Sequence, residues 1–83
     1  MEFSIFPNPS NNNITVKATS DKKNSAIVDI IDVNGRNCYH FEDQNANKNE
    51  FQYDINLSSF ARGTYFLRLQ IGDVSDTRTF IKH

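Results

Sequence analysis

The chain has 83 residues, of which 37% are hydrophobic and 23% are charged, and its formal net charge at pH 7 is −1. Its length suits one domain, or part of one, with a thin core of two layers. The near-neutral charge excludes a basic surface for nucleic acid or for an anionic membrane, so neither partner is expected. The single cysteine excludes an internal disulfide, and no apolar run reaches the roughly 20 residues of a membrane-spanning helix.

The beginning of the chain predicts two short strands. Apolar and polar residues alternate at residues 2–5, and Pro7-Asn8-Pro9 ends this strand because neither proline has an N–H group for a central ladder. Residues 14–18 alternate again and predict a half-buried second strand. The polar residues 20–25 are predicted to form a turn. No secretory signal peptide is recognisable, so we expect an export signal elsewhere on a longer parent protein.

The middle of the chain predicts a hairpin. Residues 26–33 are the most continuously apolar segment and predict a central strand. The Asn34-Gly35 dipeptide that follows is typical of a hairpin turn, and residues 37–41 are the predicted return strand. Residues 42–50 are polar and rich in asparagine, which predicts a long, mobile loop.

The last part of the chain predicts three further strands. Residues 51–55 alternate cleanly, and residues 57–63 are predicted to form a tight corner. Residues 65–71 and 74–82 are predicted strands, joined by a hairpin turn at Gly72-Asp73. Together with the earlier elements, this pattern gives about seven short strands and no helical period.

This pattern predicts an all-β fold, a small antiparallel Ig-like β-sandwich of about seven strands. The position of Tyr65 supports it, because this tyrosine follows Gly63-Thr64 at the start of a strand just after a corner. Ig-like domains place a tyrosine there, and its hydroxyl anchors the crossover connection. No composition shift, repeat or linker divides the chain, so residues 1–83 are predicted to be a single domain.

No group of residues predicts catalysis or metal binding. His40 and His83 have no patterned partner for acid–base chemistry. Cys38 and His40 would face the same side of a strand, but two ligands do not make a structural zinc site. Residues 32–35 have a superficial likeness to a calcium-binding loop, and a hairpin turn is the better interpretation. We therefore predict no enzyme activity, no cofactor and no metal.

Four segments of the chain, in order, resemble one known family. They are Ile5-Phe6-Pro7-Asn8-Pro9-Ser10, residues 28–36 with the turn Asp32-Val33-Asn34-Gly35-Arg36, residues 54–69 with Gly63-Thr64-Tyr65, and Phe80-Ile81-Lys82-His83. This arrangement is similar to the C-terminal sorting domains of type IX secretion systems, in their commoner, sandwich-type class. A small departure is Arg62, which stands where the family often has proline.

The resemblance implies transport rather than catalysis. It implies that the chain is a C-terminal sorting domain of a larger secreted protein, whose N-terminal part is the cargo. The parent protein would cross the inner membrane by its own signal and pass through the periplasm. The outer-membrane translocon would recognise the sorting domain, and a sortase-like peptidase commonly removes it upstream of the folded part. The cargo would then be attached to the cell surface or secreted.

The resemblance also provides candidate residues for recognition by the translocon. They are Pro7, Asn8, Pro9, Asp32, Gly35, Arg36, Gly63, Tyr65, Ile81 and Lys82. Each also has a structural explanation, such as edge protection by the prolines or a positive φ at Gly63. A competing hypothesis is an Ig-like or fibronectin-like accessory domain, or a carbohydrate-binding module, of an extracellular enzyme. A weak dimer through exposed edge strands and no direct membrane insertion are further expectations.

Overall fold

The computed structural model describes all of residues 1–83 and contains five β-strands and no helix. The strands are β1 (Glu2–Phe6), β2 (Asn13–Asp32), β3 (Asn37–Asn56), β4 (Gly63–Ile71) and β5 (Val74–Lys82). Every pair of neighbouring strands is antiparallel. The predicted all-β, antiparallel fold is therefore confirmed. No helix long and apolar enough to cross a membrane is present.

The strands form one sheet that curls on itself. Its order is β1-β2-β4-β5, and β3 pairs with the other edge of β2. β1 lies beside residues 15–19 of β2, whereas β4 lies beside residues 26–32, so the two halves of β2 have different neighbours on this side. The curl brings β1 against β5, where the Arg78 guanidinium lies 5.5 Å from the centre of the Phe3 ring.

The number of strands differs from the prediction of about seven. Residues 20–25 and 42–50, predicted to be a turn and a mobile loop, belong to β2 and β3. They lie in the part of this hairpin where the pairing register shifts, between Thr19 and Ala26 of β2. The side chains of both segments are mostly exposed, so polar residues are tolerated on both faces of these strands. The alternation of apolar and polar residues that marks a half-buried strand is therefore missing from the sequence. The turn and the loop were therefore wrong predictions.

The core is a single cluster of 15 buried residues inside the curl. β2 contributes to it from both halves, with Ile14, Val16 and Ala18 in the first and Ala26, Val28 and Ile30 in the second. Burial of each large aliphatic side chain contributes about 1.5–3 kcal/mol. Because both halves of β2 contribute buried side chains to the same core, the core can form only when the sheet is curled.

A polar cluster closes the bend of β3. The Lys48 ammonium and the Tyr53 hydroxyl both donate to Oδ2 of Asp43, each at 2.6 Å. The Tyr53 ring also packs edge-on against Phe41, with 5.5 Å between ring centres. The hydrogen bonds from Lys48 and then Tyr53 lower the pKa of Asp43 to about 2, while burial and the bond to Asp43 raise the pKa of Tyr53. The cluster joins residues of β3 that lie on opposite sides of its bend.

The Asp43 cluster predicts a loss of stability in acid. The pKa of Asp43 is lower in the folded chain than in the unfolded chain, so its stabilising effect is complete above about pH 4. It is lost as the pH falls toward the folded value of about 2. Thermal unfolding of the wild type and of Asp43→Asn, followed between these pH values, should show a steeper fall in Tm for the wild type. Parallel curves for the two proteins would contradict this assignment.

Candidate functional site

The segments that carry the predicted recognition residues meet at one end of the sheet. Asp32 at the end of β2 pairs with Tyr65 of β4, which pairs with Phe80 of β5. Gly63 pairs with Lys82 two rows further along, and a parallel bridge joins Lys82 to Ser10, just after the proline segment. We call this region, formed by residues 7–10, 32–36, 63–65 and 79–83, the closing end. Residues far apart in sequence thus share one surface region.

The proline segment is hydrogen-bonded to the outer edge of β5. The Asn8 amide accepts from Ile81 N–H at 3.2 Å and donates to the Thr79 carbonyl oxygen at 3.5 Å. Ser10 donates to the Ile81 carbonyl oxygen through both its N–H, at 2.8 Å, and its hydroxyl, at 3.0 Å. His83 N–H donates to the Ser10 carbonyl oxygen at 2.8 Å. We call this set of contacts the Asn8–Ser10 clip.

The clip gives structural roles to residues that sequence reasoning treated otherwise. Ser10 is the one polar residue in the structure that is fully buried, and its hydroxyl is satisfied by the Ile81 carbonyl. Asn8 was predicted as a recognition residue, and its side chain is engaged with β5. The last residues of the chain are therefore held in place through Ile81 and His83, and Pro7 and Pro9 flank the Asn8 side chain that holds them.

The predicted tyrosine corner is confirmed. The Tyr65 hydroxyl donates to the Ala61 carbonyl oxygen at 2.6 Å, across the corner between β3 and β4. The Tyr65 ring stacks on Phe80, with 5.6 Å between ring centres, and packs edge-on against Phe60. Burial raises the pKa of Tyr65. Gly63 at the start of β4 has a φ of 151°, in a region that favours glycine. The backbone conformation of the corner therefore explains why this residue is a glycine.

Tyr65→Phe tests the corner. The substitution keeps the buried ring and removes the bond to the Ala61 carbonyl, so we expect the free energy of unfolding to fall by about 0.5–1.5 kcal/mol. Urea unfolding measures this difference. Tyr39→Phe is the matched control, because no bond to the Tyr39 hydroxyl is present and the same substitution should change stability much less. Equal losses in both variants would contradict the anchoring role of Tyr65.

The Asn34-Gly35 hairpin turn is also confirmed, and Asp32 organises it. Oδ1 of Asp32 accepts from the backbone N–H groups of Asn34 and Arg36, both at 2.9 Å. The Arg36 guanidinium lies 3.3 Å from Oδ2 of the same carboxylate. The bond from the Arg36 N–H is the main cause that lowers the pKa of Asp32. Gly35 has a φ of 83°, which explains the glycine.

Two apolar side chains, one in the closing end and one directly beside it, point away from the core. Ile81 is 45% exposed and Phe66 is 36% exposed. Ile81 pairs with Thr64 and Phe66 pairs with Thr79, so both lie on the outer face of the β4–β5 hairpin as diagonal neighbours. Phe66 was not among the predicted site residues. The signal for it was present, because Phe66 alternates with the inward-facing Tyr65 and Leu67.

The comparison with known families agrees with this arrangement. Residues 4–83 match the family of secretion system C-terminal sorting domains. The chain belongs to this family. It is a C-terminal sorting signal of type IX secretion, and the family is not one of enzymes. A search of curated proteins gives no match.

Family membership places the sorting domain in a transport process. As a sorting signal, it is part of a larger cargo protein and interacts with the type IX secretion machinery. That machinery exports the cargo across the outer membrane, to the cell surface or the medium. The expected function is thus confirmed at the level of the family, and nothing favours the accessory or carbohydrate-binding hypothesis.

The side chains with reactive groups in the sorting domain are engaged in local contacts. His40 Nδ1 lies 2.5 Å from Asp29 Oδ1, and His40 Nε2 lies 3.0 Å from Glu42 Oε2. The hydrogen bonds to Glu42 and Asp29 raise the pKa of His40. The Cys38 thiol donates to the Arg36 carbonyl oxygen at 3.6 Å. No group of three or more metal-ligating side chains is arranged to hold an ion.

Proposed function

We propose that the outer-membrane translocon recognises the sorting domain at its closing end. The domain would pass through the periplasm with its cargo and present this end as a fixed surface. A sortase-like peptidase would then cleave the chain upstream of β1 and release the cargo to the medium or the cell surface. The observation that supports this proposal most directly is that the four segments with the candidate residues meet at one end of the sheet.

The chemistry of the closing end suits protein recognition. Ile81 and Phe66 provide an exposed apolar surface, and Lys82 and Arg36 add positive charge to the closing end. Apolar side chains that a partner can desolvate supply much of the energy of a protein interface, and charges at its rim orient the partner. Asn8, Asp32 and Tyr65 make internal bonds, so in this proposal they position the surface rather than contact the partner.

We also infer that the curled sheet has the architecture of an Ig-like sandwich, with two facing layers. The register shifts divide β2 and β3 into two halves each, so five strands provide seven strand segments. Phe41 and Tyr53, from the two halves of β3, meet across the bend, as residues of two facing layers would. The tyrosine corner supports the same interpretation. A rigid two-layer body would hold the closing end in one shape.

A secretion assay with Ile81→Asp and Lys82→Glu combined tests the proposed recognition surface. A fluorescent cargo with an N-terminal export signal is fused to the domain and its native upstream segment, in a host with a type IX system. We expect secretion to fall by about tenfold or more, the effect of losing a binding hot spot. The Ile81 side chain lies outside the core, so the variant should remain folded, and its Tm is measured alongside.

Val74→Asp is the matched control for this experiment. Val74 is 54% exposed and lies at the other end of the same strand, β5. It should leave secretion near the wild-type level. Equal secretion of the wild type, the Ile81→Asp/Lys82→Glu variant and Val74→Asp would contradict recognition at the closing end. An equal loss of secretion in the two variants would contradict it as well.

A further inference from the structure

The outer edge of β3 is the longest unpaired strand edge of the molecule. β3 has 20 residues and pairs only with β2, so one side of its backbone has no strand partner along its whole length. Open strand edges can pair with another chain, and proteins usually block them. The way in which this edge is blocked, or left open, therefore has consequences for binding.

The first part of this edge is blocked by its own side chains. Asn37 Oδ1 accepts from Tyr39 N–H at 3.1 Å. Asp43 Oδ1 accepts from Asn45 N–H at 3.1 Å, and Asn45 Oδ1 accepts from Asn47 N–H at 3.0 Å. These amides are satisfied locally and are not available to an incoming strand. No such bond involves the backbone of residues 50–55.

The other two edge strands are also covered in part. The Asn8–Ser10 clip covers the end of β5, and Thr77 N–H donates to the Asp76 carboxylate at 2.9 Å. β1 is short and contacts β5 through the curl of the sheet. Residues 50–56 of β3 therefore form the strand edge that is least protected. We call this segment the open edge.

The side chains of the open edge differ between its two faces. Glu50, Gln52 and Asp54 are exposed on the outer face, whereas Phe51 and Ile55 are buried on the inner face. Asp54 is held in place by the Thr15 hydroxyl, which donates to it at 2.7 Å. A groove of about 590 Å³ extends from Glu50 and Gln52 across Lys17 of β2 to Glu2 of β1. The outer face beside the edge is thus concave, and its carboxylates (Glu2, Glu50 and Asp54) outnumber its one lysine.

The charges determine which partner fits. Lys48, the cation nearest in sequence, is paired with Asp43. Lys17, opposite Gln52 on β2, offsets one of the carboxylates, so the face keeps an excess of negative charge. A second copy of the domain would bring Glu50 and Asp54 near the same residues, which like-charge repulsion disfavours. A strand with lysine or arginine on one face would pair with both carboxylates. Apolar residues on its other face would extend the core beside Tyr53, which is partly exposed.

We propose that the open edge of β3 binds an extended, basic segment of another polypeptide by β-strand addition. Backbone hydrogen bonds to residues 50–56 supply the pairing, and the alternation of cationic and apolar side chains supplies the selectivity. The inference is independent of recognition at the closing end, because the two surfaces lie on different strands.

Hydrogen exchange with synthetic peptides tests this inference on the whole domain. The main probe alternates valine with threonine or lysine, and its two lysines have the same spacing as Glu50 and Asp54. A second peptide has glutamate in place of the lysines, and a third retains the lysines but has every second backbone amide N-methylated. We expect saturable binding of the first peptide alone, with slower exchange at residues 50–56 and unchanged exchange at residues 37–47.

Charge reversal on the domain provides the second measurement. Glu50→Lys should weaken binding of the lysine peptide about two- to fivefold and strengthen binding of the glutamate peptide, the size expected for one exposed ion pair. Asp73→Lys, in the turn between β4 and β5, is the matched control and should change neither affinity, because Asp73 is exposed and lies away from the open edge. Protection outside residues 50–56, equal binding of the N-methylated peptide, or equal affinity of Glu50→Lys and the wild type would each overturn the proposal. A dimer of the domain joined at this edge would overturn it as well.

Discussion

Phe80→Ala is expected to lower the free energy of unfolding by about 3–5 kcal/mol, the largest effect of any substitution considered. Phe80 is fully buried, it stacks on Tyr65, and it belongs to the single core cluster. Replacing it removes a large apolar surface from the core and leaves a cavity. Because a domain of this size is stabilised by only about 5–15 kcal/mol, the variant should be near the limit of folding. Urea unfolding followed by circular dichroism measures the change.

Phe66→Ala is the matched control for Phe80→Ala. Phe66 lies on the neighbouring strand and points away from the core, so its removal should cost less than about 1 kcal/mol. Similar losses in the two variants would contradict the inward position of Phe80. The comparison also bears on transport, because deleting the last residues together with Phe80 would unfold the domain. Secretion experiments should therefore replace exposed residues of β5 rather than truncate it.

Replacing Asn8 and Ser10 together by alanine is expected to release the end of β5 while the core stays folded. The double variant removes three side-chain hydrogen bonds to Thr79 and Ile81, which should cost about 2–4 kcal/mol in all. On its outer edge, the strand end would then keep only the backbone bonds to Ser10, in addition to its pairing with β4. Amide exchange measured by NMR should become much faster at Ile81 and His83 than at Leu67, in the centre of β4.

The control for the clip is Asn11→Ala. Asn11 is exposed, lies directly after Ser10, and makes no side-chain hydrogen bond in the structure. Its replacement should leave the exchange of Ile81 and His83 unchanged. If the double variant also leaves these amides protected, the clip does not hold the closing end. If secretion in the double variant falls while its core stays folded, ordering of the strand end contributes to recognition.

Local signals in the sequence were sufficient for the turns. Asn34-Gly35 and the Gly72-Asp73 hairpin were predicted because each turn requires backbone angles that few residue types adopt. Tyr65 was predicted as a corner anchor from its position after Gly63, and its hydroxyl bonds to Ala61 as expected. These features depend on residues that lie close together in the chain, so a short sequence pattern is enough to predict them.

The parts that the sequence did not reveal depend on distant contacts. Residues 20–25 and 42–50 have the composition of loops, but they continue β2 and β3 through the register shifts, where Asn24 pairs with Lys48. The Asn8–Ser10 clip joins positions that no local pattern connects. The Asp43 cluster was missed for a related reason, because β3 must bend before Asp43 can meet Tyr53. Polar side chains without apolar alternation give no sign of such partners.

The clip also has a consequence for the order of events during synthesis. Its bonds connect residues 71 to 73 positions apart, so they cannot form until almost the whole domain has been made. Such non-local pairing forms slowly compared with local hairpins, so the clip should be among the last contacts of the domain to form. A product that ends before Thr79 would lack the partners of Asn8 and Ser10, so its β5 could not close. If the translocon recognises the closing end as proposed, such a truncated product would lack the recognised surface.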